Sequence, residues 1–200
     1  DYGELPEKQA EIYIVRMLSD LHFKSVTLDT VSRLISHAHM LISIYEPIYM
    51  VSLRDIARFK QIYNWFMLFL HKHIKDKLDL KCLIMTLFVC YYIKLSTSNY
   101  RYTFLQSTCL FLEIDLSELC KHIKTVQDIF ISNLDINPIY AKNTALIENL
   151  FTLVLSVYNK IPLFICGKPG NSKTLSVQII TSNFRGRDSK HPQLKSHPKL

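Results

Sequence analysis

Gly167, Lys173 and Thr174 stand at the spacing of a phosphate-binding loop, within Ile161-Pro162-Leu163-Phe164-Ile165-Cys166-Gly167-Lys168-Pro169-Gly170-Asn171-Ser172-Lys173-Thr174. An apolar run, read as a strand from Pro162 to Cys166, ends in glycine. A tight loop follows, then Lys-Thr, then a helix-compatible run from Leu175 to Phe184. In such a loop the backbone N–H groups line a concave nest for phosphate oxygens. The following helix offers unpaired N–H groups and the positive end of its dipole. The expected ATP-binding residues are Gly167, Pro169, Gly170, Asn171, Ser172, Lys173, Thr174 and Leu175. Lys173 would reach the β/γ-phosphates, and the Thr174 hydroxyl would hold Mg²⁺. One position departs from G-x-x-x-x-G-K-[ST]: Ser172 stands where glycine is usual. The bland alternative is an ordinary strand-to-helix turn that carries Lys-Thr. Against it, the loop holds two of the chain's four glycines.

These residues need elements to hold them, and the composition supplies a core. Of 200 residues, 48% are hydrophobic and 20% charged, which describes a chain that folds. The formal charge is +7. Much of it lies after Phe184, where Arg185, Arg187, Lys190, Lys195 and Lys199 face only Asp188. That tail is short and lacks interleaved aromatics, so no nucleic-acid partner is expected. The five cysteines form no C-x-x-C and read as reduced thiols of a cytoplasmic protein. Cys82, Cys90 and Cys166 lie in apolar runs and are expected to be buried. The pairs His37/His39 and His71/His73 have the wrong spacing for one helix face and read as solvated or core-edge residues. Asp1-Tyr2-Gly3-Glu4 does not open a signal peptide, and the run Cys82–Ile93 is too short to span a bilayer.

The first 160 residues read as helical almost throughout. Helices are expected over Glu7–Leu21, from Thr27 or Asp29 to about Ser43, from Ser52 to about His71, and over Leu78–Ser96. Ser52 with Asp55 forms a helix-start signature, and Leu53, Ile56, Phe59, Ile62, Tyr63 and Phe66 line one face. A polar stretch, Ser96–Arg101, should separate the fourth helix from another at Tyr102–Glu113, with one more at Ser117–Leu134. Pro138 marks the clearest boundary. The next helix, Ala141–Lys160, carries stripes Leu146/Leu150/Leu153/Val157 and Ile147/Phe151/Val154/Tyr158 and feeds into the loop. No acidic strand residue of the Walker B kind follows Thr174, so the chain reads as a piece of something larger.

Asn143-Thr144-Ala145-Leu146-Ile147-Glu148-Asn149-Leu150-Phe151, then Ile161–Phe164 and Gly167–Ser176, resembles the mysterin family, giant ubiquitin ligases with dynein-like tandem AAA+ modules. That family also carries serine before the loop lysine. Val51-Ser52-Leu53-Arg54-Asp55-Ile56-Ala57-Arg58-Phe59 resembles the start of an AAA+ lid helix. That resemblance implies that Arg54 is a sensor-2 arginine. Because Arg54 precedes the loop, it would serve the preceding module's nucleotide. The implied fold is mostly α: residues 1–137 form the helical lid and linker of one module, and 138–200 open the next with the first β–loop–α unit of an AAA+ core. The implied function is MgATP binding within a giant E3 ubiquitin ligase, with the enzymatic activities belonging to the parent and hydrolysis needing elements beyond this stretch. The implied partners are ATP, the flanking modules and the ubiquitin machinery, with no transmembrane segment. A helical interaction scaffold with a structural or degenerate loop is the alternative.

Overall fold

The computed structural model describes residues 7–47 and 51–195; the opening tetrapeptide, Pro6 and Lys199 lie outside them. Eight α-helices are found among the described residues, and no β-strand. The chain parts into two compact units, 1–123 and 124–200.

The first unit contains α1 (Glu7–Leu18), α2 (Leu28–Tyr45), α3 (Leu53–Leu70), α4 (Leu78–Cys90) and α5 (Ser98–Leu112). Within it α1 packs on α2 and α3, α3 on α4, and α2 on α5. The helix starts follow local chemistry. Thr27 caps α2 by accepting the Thr30 N–H at 3.1 Å. Ser52 and Asp55 form a reciprocal capping box at α3, with the Ser52 N–H donating to Asp55 at 2.8 Å. Phe59, Ile62, Tyr63 and Phe66 are buried, as their spacing requires. Two boundaries differ from the sequence expectation by more than three residues. Helix α4 stops at Cys90, not Ser96, and a short 3-10 turn, Tyr92–Lys94, follows. There Tyr91 is wholly buried, and its hydroxyl meets His39 Nε2 at 3.0 Å. Lys94 donates to Asp55 at 2.9 Å. Seating a large ring and pairing a buried carboxylate outweigh another helical turn. Second, only Ser96 and Thr97 of the polar stretch lie outside a helix: Thr97 accepts the Tyr100 N–H at 3.3 Å and makes Ser98–Arg101 the first turn of α5.

Helix α6 (Leu116–Ile131) crosses from the first unit into the second. The second unit contains its last turns, α7 (Thr144–Asn159) and α8 (Lys173–Asn183), the latter two packed together. Asn143 caps α7, accepting the Leu146 N–H at 2.8 Å. Leu146, Leu150, Phe151, Val154 and Leu155 form its buried face, while Leu153 and Val157 are only partly covered. Phe130 meets Phe151 edge-on at 5.2 Å, and Tyr158 meets Phe184 at 6.1 Å. Asn183 grips Asp135 reciprocally, accepting its N–H at 2.7 Å and donating to its carbonyl at 3.0 Å. Between α7 and α8 the run Ile161–Cys166 has no regular structure, although its exposure alternates residue by residue. The expected strand has no ladder there, and a run becomes a strand only when another pairs with it. That alternation turns Cys166 outward, against the expectation of burial; Cys82 and Cys90 are buried, and burial raises both thiols to about 12.

Candidate functional site

The chain leaves α7 through Lys160, which is left-handed (φ 54°). Ser156 anchors the exit twice: its carbonyl accepts the Ile161 N–H at 3.1 Å, and its hydroxyl donates to the Ile161 carbonyl at 2.5 Å. This fixes where the extended run begins, and hence where Gly167 is delivered.

Lys168-Pro169-Gly170-Asn171 then turns the chain, closed by a long Asn171 N–H to Lys168 carbonyl bond of 3.4 Å. Proline at the second position and glycine at the third, with φ +85°, are the residues a type II turn asks for. A methyl on Gly170 would meet no atom within 4 Å, so its conformation, not crowding, is what requires glycine. Ser172 follows at φ 54°, ψ 19°, a left-handed conformation in the place where the usual motif has glycine.

Helix α8 begins at Lys173. Neither Ser172 nor any other side chain caps it. Among the described residues, the amides of Ser172, Lys173, Thr174 and Leu175 have no hydrogen-bond acceptor. Lys173 folds back into the loop: its Nζ donates to the carbonyls of Gly167 at 2.7 Å and Lys168 at 2.8 Å. Thr174 is exposed, and its hydroxyl carries no hydrogen bond among the described residues. Gly167, Pro169, Gly170 and Asn171 are exposed, and Leu175 is partly covered. The eight expected residues therefore form one continuous loop-and-helix start. The bend is closed, not stretched, and its lysine points inward. Bare amides suit an anion, and the free Thr174 hydroxyl is a hard oxygen donor of the kind Mg²⁺ takes.

Two supporting residues escaped the motif. Ser176 is completely buried; its hydroxyl donates to the carbonyls of Ser172 at 2.9 Å and Lys173 at 2.7 Å. Asn149 on α7 donates from Nδ2 to the Asn171 carbonyl at 2.8 Å. The one sequence signal for Asn149 is an amide placed between the buried Leu146 and Leu150.

In the first unit, Arg54 sits exposed in the first turn of α3, whereas its neighbour Asp55 is 6% exposed and turned inward. Burial opposes ionisation of Asp55, but Lys94 and the Ser52 N–H outweigh it and lower its pKa. The capping box therefore fixes the helix start from which Arg54 projects. No group of three or more His, Cys, Asp or Glu that could hold a metal is found among the described residues. No helix among them is long and apolar enough to cross a membrane.

Residues 139–200, which include the loop and the start of α8, match the family described as RNF213 AAA domain. Along more of its length the chain is similar to proteins named E3 ubiquitin-protein ligase RNF213, 29% identical to that of Mus musculus over 94% of the chain and 28% identical to that of Homo sapiens over 93%. It is 33% identical to E3 ubiquitin-protein ligase rnf213-beta of Danio rerio over 72% of the chain. The chain belongs to the RNF213 family, the mysterin family to which its loop bears a resemblance. It spans about 3% to 4% of the length of these relatives.

Proposed function

We propose that Gly167–Leu175 bind the triphosphate of MgATP in an AAA+ module of a giant E3 ubiquitin ligase. What carries this reading is the unpaired run of amides at the start of α8, with the Lys173 ammonium held inside the same bend. Membership of a family described by its AAA domain supports it. The amides of Ser172 to Leu175 would face phosphate oxygens, and Lys173 would leave the loop carbonyls for the β/γ-phosphates. The Thr174 hydroxyl would hold Mg²⁺, which offsets phosphate charge. Pro169, Gly170 and Asn171 would shape the turn. Hydrolysis would draw on an acidic residue of a further strand. That strand would also pair with Ile161–Cys166.

On this reading residues 1–137 close one module and 138–200 open the next. Arg54 would contact the nucleotide of the preceding module. The whole protein would join ATP-driven conformational work to ubiquitin transfer in the cytoplasm. The second reading is a helical scaffold with a degenerate loop. One observation favours it: the Lys173 ammonium already satisfies two of its donors on loop carbonyls.

Lys173→Ala in the full-length protein separates the two readings. ATP titration at this module should show loss of binding, because a charge-assisted contact and the loop's internal clasp vanish together. Nucleotide affinity unchanged by the substitution would leave the scaffold.

A further inference from the structure

We propose that Asn149 is a positioning residue for the phosphate loop, holding Ser172 in the left-handed conformation that aims its amide at the anion. The proposal rests on the nucleotide reading above.

Peptide geometry links Asn149 to Ser172. No cis peptide bond is found among the described residues, so the Asn171 carbonyl and the Ser172 N–H point in opposite directions. Asn149 Nδ2 holds that carbonyl toward α7 at 2.8 Å. The Ser172 N–H is therefore turned away from α7, and it has no acceptor among the described residues. On the other side of Ser172, its own carbonyl accepts the Ser176 N–H at 2.9 Å and the Ser176 hydroxyl at 2.9 Å. Both peptide planes flanking Ser172 are thus clamped, one by Asn149 and one by Ser176.

A non-glycine residue stays left-handed only where its surroundings over-determine it. Without the Asn149 clamp, Ser172 is free to relax to negative φ. That relaxation turns the 171–172 peptide and brings the Asn171 carbonyl toward the place of the amide. A carbonyl oxygen there repels phosphate. Most loops of this type avoid the problem by using glycine, for which the left-handed region costs little. Here a serine stands in that place, and an asparagine on the neighbouring helix supplies the constraint.

The test measures binding of MgATP and of inorganic tripolyphosphate to the full-length protein. Lys173→Ala tests the underlying reading; if binding is indifferent to it, that reading fails, whatever Asn149 does. With that binding established, Asn149→Ala should weaken both ligands roughly five- to thirty-fold, the population lost when serine is released from the left-handed region. Asn149→Asp, isosteric but unable to donate to a carbonyl, should weaken them at least as much. Ser172→Gly in the Asn149→Ala background should restore most of the affinity, since glycine needs no clamp. Unchanged affinity in both Asn149 variants overturns the proposal. So does a loss that Ser172→Gly fails to repair, because that marks Asn149 as packing alone. The rescue pair also guards against a folding defect, since the double variant regains affinity only if the loop, not the fold, was at fault.

Discussion

At the residue scale, the loop is a set of backbone conformations bought with specific side chains. Gly170 turns the chain at φ +85°, and space around it is open. Gly170→Ala should therefore fold normally and weaken ATP binding roughly fivefold, the lower end of the cost of a left-handed alanine. Calorimetric titration of wild type against Gly170→Ala checks this; equal affinities would mean that the turn plays no part in binding. That Gly167, Gly170, Lys173 and Thr174 share one bend at a helix start was readable from type and spacing alone, because a tight turn into a helix draws on few residue types. The parts of Asn149 and Ser176 were not. Each acts by holding a backbone carbonyl, and a carbonyl leaves no mark in the one-letter code.

At the element scale, the starts of α2 and α3 were legible because caps are local: Thr27 and Ser52 each bond an amide two or three residues on. The start of α7 was read three residues early, at Ala141, whereas Asn143 is its cap. The end of α4 was not legible, because its cause lies on other helices. Tyr91 and Lys94 answer to His39 on α2 and Asp55 on α3. This junction carries a pH signature. Burial lowers His39 from 6.5 to about 4. Between those values the unfolded chain holds a proton that the folded chain refuses, so stability falls as pH drops through that window. Asp55 and Asp79, each held below its ordinary 3.8 against the pull of burial, add their loss at still lower pH. Thermal melts from pH 7 to pH 4 should show a falling Tm. His39→Gln, which keeps a donor for Tyr91, should flatten the upper part of that fall. A slope unaltered by His39→Gln would show that the imidazole is not its source.

At the scale of the whole molecule, chain order makes a prediction that neither unit makes by itself. If Arg54 serves the preceding module, Arg54→Ala should leave ATP affinity at the Gly167–Thr174 loop unchanged while slowing turnover at the module before it. Module-resolved nucleotide titration checks this, and a large loss at this loop would assign the lid helix to the wrong nucleotide. The expected strand at Pro162–Cys166 was the least reliable reading. An apolar run ending in glycine reads as a strand, yet pairing is a property of two segments, and nothing in Ile161–Cys166 names its neighbour. The run's alternation is already in place, with Phe164 89% exposed and every main-chain donor from Leu163 to Cys166 unclaimed among the described residues. Such a ribbon is open to pairing with any β-edge that reaches it. During synthesis, then, the time for which Ile161–Cys166 stays uncovered sets how readily the chain clumps.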